Sequence, residues 1–379
     1  MLDKNEAEPQ DVLLNATMAG KKKISQQAIA EALGVSQSLV SIVLNGRREG
    51  ISPENYTRIW DYALRNGYSP KGMKLEAQPG QGERPKSMGY FLRAPLRLAT
   101  KSNYFSHIHQ GLHDLLAEDG IHTLFLGSEA DFVGSRLERV AEKVEDVHGI
   151  VVMGEVAPAF LGALRRLGKP LVYVSARAPG ICHSVNSNEY ESGSQLVSHL
   201  VELGHRHFAF FAGMHARNRN EERIASIRAA LGEHDLAFDE SRLFELEDAE
   251  RDEGYEMAEI LLKRRLHPFP TAWICVNALR ARGAITRLRE ADLEVGKHVS
   301  VVAFDQTRVC TEETPRLTSA AAVPEEIGRT AAKILLQTTK ENSNAPLQDL
   351  ILPSTLAVRD TSGPPVALPA KAARALIGA

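Results

Sequence analysis

Residues 25–45 of the chain read SQQAIAEALGVSQSLVSIVLN and contain the signals for two short helices with a tight turn between them. Ser25 can cap a first helix that Gly34 ends, and Ser36 can cap a second helix. A third helix is predicted to begin at Pro53, where the missing N–H costs nothing. Two helices joined by a tight turn, with a third to close the core, form a helix-turn-helix.

Positive charge is concentrated around this bundle. Residues 21–74 hold nine lysine and arginine side chains against four acidic ones, a net charge of +5, whereas the whole chain carries −3. A phosphate-binding module needs such a concentration, because neutralised phosphates release their counterions. The alternative is a solvated basic face without a partner.

The overall composition indicates an ordinary globular protein of two or three domains, since 43% of its 379 residues are apolar and 25% are charged. No apolar run approaches the roughly 18 residues that cross a bilayer, and residues 1–20 lack the pattern of a signal peptide. We therefore expect a cytoplasmic protein without a membrane partner. Three scattered cysteines, Cys182, Cys275 and Cys310, predict buried apolar positions rather than a metal or redox site, and no cofactor is expected.

From residue 88 onward, short apolar runs alternate with amphipathic segments. Strands are predicted at residues 88–92, 122–126, 149–153, 170–175, 207–212, 272–276 and 300–304. Helices are predicted at residues 105–119, 135–145, 157–167, 189–203, 221–233, 254–263, 279–291 and 325–336. This alternation predicts an α/β fold in which helices cover parallel sheets, and the number of units predicts two lobes.

Several motifs stand in the order and spacing of the lac repressor and galactose repressor family. They include Ala28-Ile29-Ala30, Gly34-Val35-Ser36, Val43-Leu44-Asn45, Gly67-Tyr68-Ser69-Pro70, Leu203-Gly204-His205-Arg206, Ser300-Val301-Val302-Ala303-Phe304-Asp305 and Gly328-Arg329. The chain resembles this family over roughly residues 24 to 362.

The resemblance implies a homodimeric, nucleoid-associated transcription regulator, most simply a repressor. Its partners would be near-palindromic double-stranded operator DNA and a small effector, most simply a carbohydrate, held between two lobes like those of periplasmic sugar-binding proteins. The expected parts are a tail at 1–20, a helix-turn-helix domain at 21–70, a hinge at 71–86 and an effector-binding and dimerisation domain at 87–379. Lobe 1 is expected to take residues 87–187 and 320–350, and lobe 2 residues 188–319 and 351–379.

Matching to the family assigns operator contacts to the second helix. Gln37 and Ser38 fall on base-reading positions, because glutamine can pair with adenine. Ser36 and Ser41 fall on positions that steady the helix or meet phosphate. Asn45 falls on a cap that can touch the DNA backbone.

The chain departs from the family at three places. Ile42 replaces an arginine of the recognition helix, so it can contact a thymine methyl group but cannot pair with guanine. One extra residue in the following loop offers Arg47 and Arg48 to phosphates, with a solvated loop as the alternative. The hinge lacks the usual alanine-rich helix, which leaves Met73 or Leu75 to wedge into the minor groove.

Three polar residues are candidates for the effector cleft. Asp305 and Asn277 each follow an apolar strand, where open α/β sheets place ligand contacts, and Arg223 opens a helix. Together they can clamp several hydroxyl groups. Taken in isolation, each is more readily explained as a helix cap or a surface residue.

The family match adds further cleft residues. Asn103, Tyr104 and Phe105 match an aromatic entry where a ring stacks on a sugar or base, although Phe105 can also face the core. Ser175 and Asn188 replace frequent aspartates, which disfavours a cationic effector.

Two other classes of function are alternatives to the regulator. A plain sugar-binding protein needs the lobes alone, so the helix-turn-helix and the missing export signal tell against it. An enzyme is disfavoured because no nucleotide-binding, nucleophile-elbow or zinc-protease motif occurs in strand-turn-helix context. His205 and His207 lead into a strand and are not expected to bind a metal.

Overall fold

The computed structural model describes residues 25–44, 51–65, 86–93, 104–132, 134–213, 217–247, 250–340 and 346–377. The chain divides into two compact units, residues 1–83 and 84–379. The expected tail at 1–20 and nearly all of the expected hinge at 71–86 lie outside the described residues.

The first unit contains three helices, α1 (Gln26–Leu33), α2 (Gln37–Leu44) and α3 (Pro53–Arg65). The Ser25 hydroxyl accepts a hydrogen bond from the Ala28 N–H at 3.1 Å. Gly34 ends α1 with a φ of 65°, in the left-handed region that glycine adopts without a steric penalty. One apolar cluster joins the three helices: Ile29, Ala30, Val40, Val43, Leu44, Ile59 and Ala63. The three predicted helices are confirmed.

The second unit contains two six-stranded sheets. In sheet order the first comprises β2 (His122–Ser128), β1 (Ser87–Leu92), β3 (Gly149–Met153), β4 (Leu171–Val174), β5 (His183–Ser187) and β11 (Asp349–Leu352), all parallel. The second comprises β7 (Leu243–Leu246), β6 (Phe208–Gly213), β8 (Ala272–Cys275), β9 (Ser300–Ala303), β10 (Thr318–Ala321) and β12 (Thr355–Ala357), of which only β12 is antiparallel.

Helices cover both faces of each sheet. They are α4 (Tyr104–Glu118), α5 (Val140–Lys143), α6 (Pro158–Arg166), α7 (Glu189–Glu202), α8 (Arg217–Glu233), α9 (Arg251–Lys263), α10 (Ala278–Glu290), α11 (Val309–Glu312), α12 (Pro324–Lys340) and α13 (Ala370–Ile377). The first sheet packs between α4 with α12 and α5 with α6. The second packs between α7 with α8 and α9 with α10. The predicted α/β class, with parallel sheets in two lobes, is confirmed.

The chain passes between the two sheets three times, after β5, β10 and β11. We call the first sheet with its helices lobe 1 and the second sheet with its helices lobe 2. Ser354, on the third crossing, contacts the start of α7, which follows the first crossing: its Oγ lies 2.7 Å from Ser192 Oγ, and its N–H donates to Glu191 at 2.8 Å. Ser187 Oγ, at the first crossing, accepts a hydrogen bond at 3.1 Å from the N–H of Ala322, at the second crossing. These contacts keep the three crossings together.

The structure also corrects details of the sequence prediction. Strands β5, β7, β10, β11 and β12 and helix α13 were not predicted, because most of them lack a run of large apolar side chains: β10 reads TSAA and β5 reads HSVNS. The helix expected at 135–145 is a 3-10 helix, Gly134–Arg139, followed by the single turn of α5. Helix α8 starts at Arg217, four residues before the expected position.

Two glycines allow helices to approach closely in lobe 1. A Cβ atom on Gly328 would lie 1.9 Å from the Ile108 carbonyl oxygen, and one on Gly111 would lie 1.9 Å from that of Glu325. Only residues without a side chain let α4 and α12 pack at this distance.

Among the described residues, no single helix is long and apolar enough to cross a membrane. Helices α1 and α2 meet the length and composition limits only when taken as one pair, which is bent by 117°.

His205 generates a prediction about stability. It is 1% exposed, its Nδ1 lies 2.8 Å from Thr271 Oγ1, its Nε2 lies 2.9 Å from Ser300 Oγ, and burial lowers its pKa to about 4. An unfolded histidine has a pKa of about 6.5. Between these values the unfolded chain binds a proton that the folded chain does not, so stability is complete above pH 6.5 and falls towards pH 4, by about 3 kcal/mol.

Urea unfolding at several pH values tests this. The His205→Gln variant keeps polar atoms but cannot titrate, so its free energy of unfolding should fall less steeply than that of the wild type between pH 6.5 and 4. Equal slopes would show that His205 does not control the acid sensitivity.

Candidate effector cleft and nucleic-acid interface

Helix α2 separates polar and apolar side chains between its two faces. Its inner face buries Val40, Val43 and Leu44 in the bundle core. At its start, Ser36 Oγ accepts the Leu39 N–H at 3.2 Å, so Ser36 caps the helix, as predicted from the sequence.

The outer face of α2 carries the predicted base-reading residues. Gln37 and Ser38 are exposed, Ser41 is half-buried, and Ile42 is 40% exposed. Gln37 and Ser38 thus lie on the solvent side of the second helix of a helix-turn-helix, and base reading by them stays a prediction. Asn45, Arg47, Arg48, Met73, Leu75 and Asn103 lie outside the described residues, and their roles stay predictions.

In the second unit, two predicted cleft residues are helix caps. Asn188 Oδ1 accepts the Glu191 N–H at 3.1 Å at the start of α7. Asn277 Oδ1 accepts the Arg280 N–H at 2.9 Å at the start of α10. Asn277 therefore caps a helix, which is the alternative role that the sequence left open. An effector contact stays a prediction for both residues.

Asp305 also bonds to the backbone. Its Oδ2 accepts the Ala278 N–H at 3.0 Å, and its Oδ1 accepts the Thr307 N–H at 2.7 Å. The side chain follows β9 and is 9% exposed. One carboxylate thus joins the end of β9 to the start of α10.

Arg223 is buried in an ion pair rather than directed to open space. Its Nε donates to Glu189 Oε2 at 2.7 Å, and its Nη1 donates to the Val276 carbonyl at 2.6 Å. Glu189 also accepts the Nε of Arg219 at 2.6 Å. Burial alone raises the pKa of Glu189, but the two guanidinium groups outweigh burial and hold the pKa below its usual range.

From Arg219 the contacts continue across the cleft to lobe 1. Arg219 Nη2 donates to the Tyr104 hydroxyl at 3.2 Å, and its Cζ lies 5.0 Å from the centre of the Tyr104 ring. The Tyr104 hydroxyl lies 3.1 Å from Ser175 Oγ. The backbone at Ser175 has a φ of 59°, a left-handed conformation uncommon for a residue with a side chain. Strain of this kind is found more often at functional sites.

Phe105 stands beside this network and belongs to the edge of the lobe 1 core. Its ring is edge-on to that of Tyr104, with centres 5.4 Å apart. It also packs over Gly154, where a Cβ atom would lie 2.8 Å from Phe105 Cζ. The structure therefore brings Tyr104, Ser175 and Arg223 into one network and places Phe105 next to it.

Sequence reasoning missed Glu189 and Arg219, which connect that network. One signal was available in the sequence for Arg219. It lies in a run with an unusually high density of charged residues, Arg217-Asn218-Arg219-Asn220-Glu221-Glu222-Arg223. A carboxylate at the first position of α7 was a second signal, because a helix start favours negative charge.

Catalytic thiol or metal chemistry has no support in the described part of the chain. Burial raises the pKa of the Cys275 and Cys310 thiols to about 12, so neither is a thiolate near neutral pH. No group of three or more histidine, cysteine or acidic side chains among the described residues could hold a metal ion.

Comparison with known proteins identifies relatives along most of the chain. Residues 197–362 match the periplasmic binding protein-like domain family. The chain is 25% identical to the HTH-type transcriptional regulator GalR of Lacticaseibacillus casei, covering 84% of this chain and 94% of that protein. It is 26% identical to the HTH-type transcriptional repressor PurR of Actinobacillus pleuropneumoniae serotype 5b, covering 82% and 90%.

Among solved structures, a complex of the transcriptional regulator CelR with cellobiose shares the fold. It aligns with a TM-score of 0.65 and 23% identity, covering 89% of this chain and 100% of that one. The resemblance to the lac repressor and galactose repressor family is confirmed, and these relatives are regulators rather than enzymes.

The backbone bonds of Asp305 generate a prediction. Asp305→Ala leaves two buried N–H groups without their acceptors, so we expect the free energy of unfolding to fall by about 2–3 kcal/mol. Chemical denaturation measures this. The control is Asp239→Ala, since Asp239 is an exposed cap of the 3-10 helix Glu240–Arg242 and its loss should cost less. An unchanged midpoint for Asp305→Ala would contradict the structural role and leave ligand contact as its function.

Proposed function

We propose that this protein is a DNA-binding transcription regulator, acting as a repressor, whose operator affinity is controlled by a small effector between lobes 1 and 2. The observation that carries this proposal is the outer face of α2, where Gln37 and Ser38 are exposed while the opposite face is buried. A two-lobed domain with polar side chains at its strand ends follows on the same chain. Relatives named as regulators support the combination.

The operator contacts follow from the chemistry of α2. Gln37 and Ser38 would read base edges, Ser36 and Ser41 would position the helix, and Ile42 would contact a thymine methyl group. Arg47 and Arg48 would neutralise phosphates, Asn45 would touch the backbone, and Met73 or Leu75 would enter the minor groove. Such a protein works in the cytoplasm on the nucleoid.

A near-palindromic operator requires two identical heads, hence a homodimer. The edge of the lobe 1 sheet offers a surface for it, since Leu124 and Phe125 on β2 are 41% and 46% exposed. Phe125 continues into an aromatic row, with its ring 5.4 Å from Tyr90, whose ring is 4.6 Å from His109. Exposed apolar side chains grouped on one edge favour contact with a second copy.

For the effector we propose a carbohydrate or a sugar derivative. Tyr104 and Phe105 supply aromatic surface, and Ser175, Asn188, Asn277, Asp305 and Asn103 supply polar groups. Arg223 is buried against Glu189, so it would act on the effector by positioning that carboxylate. The cellobiose complex of a protein with the same fold supports this class of ligand. An effector that prefers one lobe arrangement would change operator affinity with a coupling of about 1–3 kcal/mol.

A small-molecule binding protein without specific operator binding is the second candidate. That function needs the two lobes alone, so the exposed polar face of α2 would then have no function. DNA binding distinguishes the two candidates.

Replacing the base-reading amide tests the proposal. Gln37→Ala should weaken binding to a selected operator by about 1–3 kcal/mol and leave non-specific binding nearly unchanged, because the lost contact is to a base edge. Sites selected from random duplexes, followed by gel-shift titration at fixed salt, give the measurement.

Gln27→Ala serves as the control. Gln27 is an exposed glutamine of α1, bonded to Glu31 at 3.2 Å, and its replacement should leave affinity unchanged. If wild-type protein binds no duplex even at low salt, the regulator proposal fails.

The proposed dimer surface has its own test. Phe125→Glu places a charge in the β2 edge, so sedimentation should show monomers at concentrations where the wild type is dimeric. Ile351→Glu is the matched control, because Ile351 is 50% exposed on the opposite edge of the same sheet. Dissociation by the control alone would place the dimer surface on β11.

A further inference from the structure

The ring face of Tyr104, which sequence matching assigns to the effector, is covered by a side chain of the protein itself. Arg219 reaches it from α8 in lobe 2, while Tyr104 stands at the start of α4 in lobe 1. A guanidinium carbon 5.0 Å from the ring centre lies within cation–π range. The same group donates to the Tyr104 hydroxyl at 3.2 Å.

Glu189 fixes Arg219 in this position. The Arg219 Nε donates to Glu189 Oε1 at 2.6 Å, and the two side chains are 19% and 3% exposed. Burial alone lowers the pKa of Arg219, but attraction to Glu189 outweighs burial and raises it, so the guanidinium stays charged. Arg223 holds the other carboxylate oxygen at 2.7 Å. Arg219 is thus anchored within lobe 2 and extends to lobe 1.

On lobe 1 the receiving group is anchored as well. Ser175, directly after β4, is 7% exposed, and its hydroxyl lies 3.1 Å from that of Tyr104. The contact between the lobes therefore joins two positioned groups, so little side-chain entropy is lost when it forms.

We propose that Arg219 acts as a latch, which holds the two lobes together in the absence of an effector by occupying the place of a ligand on Tyr104. This inference rests on the proposed function for the identity of the cleft. An effector that stacks on Tyr104 must displace Arg219, so Arg219 also selects among ligands. It rejects those that cannot replace both its stacking and its hydrogen bond.

Other hydrogen bonds between helices and loops of the two lobes, in the described part of the chain, are weaker. Asn218 Nδ2 donates to Glu155 Oε1 at 2.6 Å, but this bond is exposed to water. The Arg308 N–H lies 3.4 Å from His107 Nε2, which is long for a hydrogen bond. Among these three contacts, that of Arg219 is partly buried and made by a charged side chain, so its removal should have the largest effect of the three.

Distances within one chain test the latch without any effector or DNA. Spin labels are attached to Ala159→Cys on α6 of lobe 1 and Glu233→Cys at the end of α8 in lobe 2, both exposed positions. The three native cysteines are buried and stay unlabelled. Labelled chain is diluted into excess unlabelled chain so that double electron–electron resonance reads only distances within a chain.

Arg219→Ala should shift the distance distribution to longer values and broaden it. The fold should survive, because Glu189 keeps its pair with Arg223 and no buried charge is left alone. Tyr104→Phe keeps the ring, loses both hydrogen bonds and should give a smaller shift in the same direction, which keeps the test valid if Arg219→Ala is unstable.

Arg228→Ala is the matched control. Arg228 lies on the same helix and also stacks on a ring, that of Phe238 at 4.0 Å, but both partners belong to lobe 2. Its distribution should match the wild type. Wild-type distributions for both Arg219→Ala and Tyr104→Phe would overturn the latch.

Gel-shift titration of the same preparations separates this inference from the proposed function. If Arg219→Ala lengthens the distance between the labels and the wild-type protein binds no DNA, the latch is supported and the regulator is refuted. Unchanged distances in a protein that binds its operator would refute the latch alone.

Discussion

Glu189 lies between Arg219 and Arg223 at the point where the chain first crosses from lobe 1 to lobe 2, and its charge holds both guanidinium groups in place. A buried carboxylate without partners would be strongly destabilising, and Glu189 is paired with both guanidinium groups, of which Arg223 is the more deeply buried. Arg223 ties the pair to the end of β8 through the Val276 carbonyl. Arg219 carries the same network to Tyr104. Two helices, one strand end and the opposite lobe are therefore positioned by one acidic side chain.

The residues at the strand ends show why structural and functional roles overlap here. Parallel strands end beside helix starts, where N–H groups lack partners inside the helix. Asn188, Asn277 and Asp305 satisfy such groups, and they are also the residues proposed to contact the effector. A carboxylate oxygen can accept more than one bond, so the cap of Asp305 leaves capacity for a ligand hydroxyl.

The helix-turn-helix is stabilised by a small apolar core together with helix caps. Its core consists of a few apolar side chains from three short helices, and caps such as Ser25 and Ser36 supply the remaining order. A small core requires nearly every apolar position of α2 to face inward. The polar positions of that helix are thereby directed outward, so the proposed recognition surface follows from the same apolar pattern that stabilises the bundle.

The sequence by itself determined the class of fold, the three amino-terminal helices and the outward position of Gln37 and Ser38, because local caps and apolar spacing encode them directly. It also placed Asp305 and Asn277 at strand ends. Only the tertiary structure decided that Arg223 pairs with Glu189 and that Arg219 covers the Tyr104 ring. These partners lie far apart in the chain, and the charge of Glu189 alone does not indicate which of the many arginines will pair with it. Short strands such as β10 and β11 were also beyond the sequence, because their pairing is fixed by neighbouring strands rather than by their own side chains.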